Sequence, residues 1–176
     1  MRNYKKKIGP FKKIQRTHCQ CNQQPTRFQT KSSGNDITIV ADLENAVTIS
    51  DASSNVIVCT HVLSAIPDSR AAVAELHRLL PPGGLLLITM PPILQKYAPD
   101  PKDCWRFTRD SLSDPLHGFP NSELSIHSNS ATLAGSSYYL MHNHFPVEFL
   151  STHDHECPSI VAAAAWKCAI PRKAPK

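Results

Sequence analysis

The densest group of side chains able to bind a metal or move a proton lies in "MHNHFPVEFLSTHDHECP", residues 141–158. It holds His142, His144, His153, Asp154, His155, Glu156 and Cys157. Imidazole, thiolate and carboxylate together suit zinc or nickel, with His142 and His144 meeting His153 and His155 across a loop. The H-x-H pairs have no finger or helical spacing, so the same residues also read as a polar loop without a ligand. A shorter group, Cys59, Thr60 and His61, closes the apolar run "NVIVCT". A histidine at a strand end is either a general base or a structural residue. Asp42 ends another apolar run, "DITIVADL", and is either a helix N-cap ahead of "LENAV" or a carboxylate aimed at a ligand.

The elements that would position these groups follow from the apolar pattern. Ile37, Ile39 and Val40 form a β-branched run, so 37–41 is expected to be a buried strand, and 55–60 a second. Pro67 and Asp68 can start a helix at about Ser69, with Val73, Leu76 and Leu80 on one face and Leu79 beside them. Pro81 and Pro82 stop that helix, Gly83 and Gly84 permit a turn, and "LLLITM" (85–90) is apolar on both faces, as in a strand covered on both sides. Strand, helix and strand in this order form a right-handed crossover of a doubly wound sheet. A short helix is expected near residue 109 and a strand at 122–128. The run at 159–169 reads as a strand or, because alanine favours it, a helix.

Charge divides the chain. Nine of its nineteen Lys and Arg (Arg2, Lys5, Lys6, Lys7, Lys12, Lys13, Arg16, Arg27 and Lys31) fall within residues 1–31, where no Asp or Glu occurs. The net charge of +5 therefore comes from one arm, and the body is mildly acidic. Such an arm can attract nucleic acid or an anionic membrane, which makes a nucleic-acid interaction module an alternative class. It has no aromatic ladder or helical stripe, so it reads as a solvated, irregular terminus with "TRFQT" as a weak strand. The six cysteines show no C-x-x-C spacing. "MRNYKKKIGPFKK" lacks the apolar stretch of a signal peptide, and no run approaches the ~18 apolar residues of a membrane span. A cytoplasmic location is expected. The expected division is a basic arm at 1–35, an α/β domain at 36–170 and a tail at 171–176.

"DITIVADL", "NVIVCTHVLSAIPDSRAAVAELHRLLPPGGLLLITMP" and "DCWRFTRDSL" together resemble the class I S-adenosylmethionine-dependent methyltransferases, and most closely their type 11 group. The family pattern runs roughly V-x-C-x-x-V-L-E-H-[VI]-P-D, then A-x-x-E-[LI]-x-R-[VL]-L-x-P-G-G, a strand, a proline and W-R-F-T, and the match is good over about residues 36–112. The resemblance implies a Rossmann-like, doubly wound, mostly parallel α/β sheet, incomplete at its first strand. It implies S-adenosyl-L-methionine as cofactor, with Asp42 accepting from the adenine amino group, Leu43 offering its backbone, and Cys59 and Thr60 near the methionine end. His61 is the nearest candidate base. Trp105 and Arg106 are candidates for the pocket of a small-molecule or glycan-type acceptor.

The chain departs from that pattern in front. It has no E/D-x-G-x-G-x-G loop, so Gly9 of "IGPFKKI" is expected to be the last glycine of that loop, with the first strand upstream of Met1. The second strand would then end in Lys31 and Ser32, where the family has an acidic residue for the ribose. Ser64 and Ala65 stand where the family has Glu-His. The function this resemblance implies is methyl transfer from S-adenosylmethionine to an unidentified acceptor, with a shortened front that can leave the chain inactive; the alternative is a non-catalytic metal-binding or nucleic-acid-interacting protein on a methyltransferase-like remnant.

Overall fold

The computed structural model describes residues 16–20, 27–32, 35–91, 103–140 and 142–168, with only the backbone described for those before Ala41 and for His142. Seven strands form one sheet: β1 (Arg16–Gln20), β2 (Arg27–Ser32), β3 (Asn35–Val40), β4 (Val56–Thr60), β5 (Leu85–Met90), β6 (Asn121–His127) and β7 (Ile160–Trp166). Their order is β3-β2-β1-β4-β5-β7-β6. The β1–β4 and β4–β5 pairs are parallel, and the others antiparallel. Consequently β1, β3, β4, β5 and β6 run one way and only β2 and β7 run back. The helices are α1 (Ser69–Leu79), α2 (Arg109–Ser113), α3 (Ser130–Ser137) and α4 (Val147–Ser151).

The central crossover forms as its sequence predicts. Asp68 caps α1 by accepting from the Ala71 amide at 2.9 Å. Ala72, Val73, Leu76 and Leu79 are buried on one side of the helix. Pro81 to Gly84 form a tight turn with Gly84 N–H donating to Pro81 at 2.8 Å. Gly83 sits at φ +81°, a conformation other residues adopt only with strain. Lys167, just past β7, donates to the carbonyls of His77 and Leu80 at 2.8 Å each and so closes the carboxyl end of α1.

One face of the sheet carries the core. Ile57 and Cys59 of β4, Leu86, Ile88 and Met90 of β5, and Val161, Ala163 and Ala165 of β7 are buried with the apolar residues of α1 and with Leu112, Leu116 and Phe119. The alternate positions on the other face are only half-buried, and Leu87 is 36 % exposed. Two-sided burial of "LLLITM" is thus corrected, because α1 and α2 both pack on a single face. The alanine run at 160–166 is a strand. Pairing with β5 on one side and β6 on the other outweighs alanine's helical preference.

The front differs from the expectation drawn from its composition. A strand does occupy the central first position: Arg16–Gln20 lies between β2 and β4, inside the stretch expected to be irregular. The shortening falls instead on the connections. Only residues 21–26 separate β1 from β2, and only 33–34 separate β2 from β3. A parallel return needs a crossover of a dozen or more residues, so these strands pair antiparallel.

Candidate functional site

In a doubly wound sheet the ligand lies outside the carboxyl ends of the parallel strands. Here the registers bring Gln20, Val40, Thr60, Met90 and His127 to one edge. The same registers send Lys31 and Ser32 to the opposite edge, because β2 runs backwards; Arg27 stands at the first edge, between Gln20 and Val40. The expected placement of Lys31 and Ser32 beside a ribose is therefore corrected. Gly9 lies outside the described residues.

Asp42 and Leu43 follow β3 at this edge. No helix begins here, so the N-cap alternative for Asp42 fails. Asp42 is exposed, and one carboxylate oxygen accepts from the Glu44 amide at 2.9 Å, an Asx turn that presents the rest of the group to solvent. Leu43 is fully buried, which anchors the turn. Glu44 in turn accepts from the amide of Asp68 at 2.6 Å, tying the turn to the start of α1.

At the end of β4, Cys59 is buried in the core, Thr60 is exposed and His61 has φ +56°. This left-handed conformation is uncommon outside glycine and asparagine, and it turns the chain into the buried loop Val62–Ile66. The His61 amide donates to Thr89 of β5 at 2.8 Å, and its carbonyl accepts from the Ser64 hydroxyl at 3.1 Å. Burial pushes the His61 imidazole below its ordinary range, so the ring is neutral near pH 7 and able to accept a proton. The hydroxyl of Thr89, whose carbonyl accepts from the His61 amide, is buried and has no hydrogen-bond partner among the described residues. Sequence reading missed Thr89, whose only signal is a polar residue in "LLLITM".

Residues 103–107 strap this loop. The Ser64 carbonyl accepts from the amides of Cys104 (2.7 Å) and Trp105 (3.0 Å), and the Trp105 indole donates to the carbonyls of Ile66 and Pro67. Ser64 is thus a buried knuckle of the loop. Arg106 forms a two-pronged ion pair with Asp103. Trp105, 47 % exposed, lines an open groove of about 690 Å³ with Pro67, Asp68, Arg70, Phe107 and Asp114.

The histidine-rich segment lies at the same edge, in the excursion between β6 and β7 that carries α3 and α4. His153 Nδ1 accepts from the Ser128 amide at 3.1 Å, and its ring meets His127 edge-on. His144 and His155 are exposed, and the backbone of His142 begins a 3-10 turn. Among the described residues no three of His, Cys, Asp and Glu gather in a group that could hold a metal ion. Among them, too, no helix is long and apolar enough to cross a membrane.

The fold has counterparts among known structures. The family model described as "Methyltransferase domain" matches residues 14–88, which run from just before β1 into β5. The fold is that of the S-adenosylmethionine-dependent methyltransferases. A SAM-dependent methyltransferase from Thermotoga maritima, described as a possible histamine N-methyltransferase, is similar at 15% identity and TM-score 0.53, over 73% of this chain and 63% of that one. A SAM-dependent methyltransferase from Archaeoglobus fulgidus aligns at 14% identity and TM-score 0.51, over 77% and 69%. The phosphoethanolamine N-methyltransferase 2 of Haemonchus contortus, bound to phosphomonomethylethanolamine and S-adenosylhomocysteine, aligns at 12% identity and TM-score 0.51. That alignment covers 76% of this chain and 37% of the nematode enzyme. The chain thus spans less than two thirds of the length of the Thermotoga and Haemonchus proteins. No curated protein matches it. The methyltransferase match begins before β1, which agrees with a first strand inside the chain at Arg16–Gln20.

Proposed function

We propose that the chain is an S-adenosyl-L-methionine-dependent methyltransferase domain, acting on a small-molecule or glycan-linked acceptor at the carboxyl edge of its sheet. The observation that carries this reading is that edge: an exposed Asp42 past β3, and His61, bonded through its backbone to Thr89, where β4 and β5 end. On the adenine side the donor set fits the cofactor, since an exposed carboxylate suits an exocyclic amino group. On the ribose side it does not match the family, because residues 21–26 contain no glycine and Lys31 and Ser32 lie at the far edge. Cofactor affinity therefore rests on the Asp42 carboxylate, on Thr60 and on the backbone of Leu43 and Cys59, whose side chains are buried.

When bound, S-adenosylmethionine supplies a sulfonium methyl group that passes in line to an oxygen, nitrogen or carbon nucleophile. The chain's own contribution is alignment and, where the nucleophile carries a proton, its removal by an imidazole nitrogen of His61. Burial keeps that ring neutral and ready for the proton. Trp105 forms one wall of the acceptor groove, held by its two indole hydrogen bonds. Arg106 holds the strap through Asp103 and so keeps Trp105 in place.

Calorimetric titration with S-adenosylhomocysteine tests this reading. Micromolar binding is expected, and absence of binding overturns it for the chain as it stands. With an acceptor in hand, Trp105→Ala is expected to lower acceptor turnover more than cofactor affinity.

A further inference from the structure

The turn that carries Asp42 has no helix of its own, yet it is fixed at several points along α1. Arg78 of α1 spends all five of its guanidinium N–H groups on this segment and on Glu75. Nη2 donates to the Ala46 carbonyl (2.8 Å) and Glu75 (2.9 Å), and Nη1 to the Ile49 carbonyl (2.9 Å) and Asp51 (2.5 Å). Nε adds a second bond to Glu75 at 3.1 Å. Glu75 itself accepts from the Ala46 amide at 3.2 Å, so both backbone groups of Ala46 are held by this one pair. Further along, the amides of Ala52 and Ser54 donate to the carbonyls of Arg78 and Leu79. Toward β3, Glu44 grips the Asp68 amide.

These contacts lie one turn of chain from Asp42 and bury Leu43 and Ala46 beside α1. The Glu75 and Arg78 side chains are 21 % and 27 % exposed, so the pair is shielded from water on most of its surface. Only a planar, five-donor group can bridge two carbonyls and two carboxylates at once; a lysine has three donors on one point. We propose that Glu75 and Arg78 are positioning residues for cofactor recognition: they set the angle at which Asp42 faces the adenine amino group and so control purine selectivity. This inference rests on the methyltransferase reading above. It adds a role for the E-x-x-R of "AELHR", whose likeness to the family pattern alone says nothing of what the pair does.

The experiment compares binding of S-adenosylhomocysteine and its inosine counterpart, in which the amino group is a carbonyl oxygen. The wild-type chain and the variants Arg78→Lys and Glu75→Gln are measured calorimetrically, each well below its own melting temperature. A carboxylate that accepts from the amino group and repels the carbonyl gives the wild type a preference of at least about tenfold for the adenine compound. In both variants that preference is expected to fall toward unity, whereas a purely structural role lowers both affinities by the same factor and leaves the ratio intact. An unchanged ratio in variants that still bind, or a wild type that binds both compounds equally, overturns the inference and leaves the methyltransferase reading standing. A wild type that binds neither overturns both. Should Glu75→Gln fail to fold, Arg78→Lys decides the matter alone, since it keeps the charge.

Discussion

The β4–α1–β5 crossover and the β1–β2–β3 front lie side by side in one sheet, but they obey different constraints. In the crossover, residues 61–84 give the chain room to leave the sheet, build α1 and return parallel. In the front, connections at 21–26 and 33–34 leave no such room, and the strands fold back on one another. Similar strand lengths therefore yield a buried parallel unit in one place and an antiparallel meander in the other. Connection length, more than strand composition, decided which. The consequence is local: the meander keeps Asp42 at the carboxyl edge of the parallel strands while moving Lys31 and Ser32 away from it.

The comparison can be broken first at its strongest point. Leu76→Ala, which empties a fully buried site between α1 and the sheet, is expected to cost about 2–5 kcal/mol in denaturant unfolding. A loss well under ~1 kcal/mol would show that the crossover is not the stable unit of the fold. Next is the turn between α1 and β5. Gly83→Ala forces a side chain into φ +81° and should cost about 1–2 kcal/mol. Gly118→Ala, which has open space and no such angle, serves as its control and should change the midpoint little. Asp68→Ala removes the α1 cap and is expected to cost ~1 kcal/mol. Because the Glu44 bond to the Asp68 amide uses the backbone, the variant should retain the turn at Asp42, which hydrogen exchange of the Glu44 amide would reveal.

The smallest effect concerns pH. Burial lowers the pKa of His61, and burial with the nearby Lys167 charge lowers that of His77. The unfolded chain therefore binds these protons first as pH falls. The stability held by the neutral rings is complete above the ordinary value near 6.5 and declines as pH drops below it toward the folded values. Thermal melts between neutral and mildly acidic pH should show this decline, and His61→Asn, which tolerates the left-handed backbone, should make it shallower. An unchanged slope would mean that His61 is not the buried group responsible.

Much of the crossover was legible because its signals are local. Asp68 as cap, Val73 and Leu76 at helical spacing, two prolines and two glycines, and an apolar run each specify their element within a few residues of chain. The sequence pattern also marked Asp42, Thr60 and His61, since each ends a run of strand character. The tertiary structure alone decided the rest. It placed Arg16–Gln20 inside the sheet, between β2 and the sequence-distant β4, and it reversed β2. It made a strand of an alanine run that by itself favours a helix. It also left the Thr89 hydroxyl without a partner among the described residues and gathered Arg78, Glu75 and the 46–51 turn into one network. Local pattern fixes which backbone conformation a segment prefers, but hydrogen-bond pairing and side-chain satisfaction depend on neighbours that only the folded chain supplies.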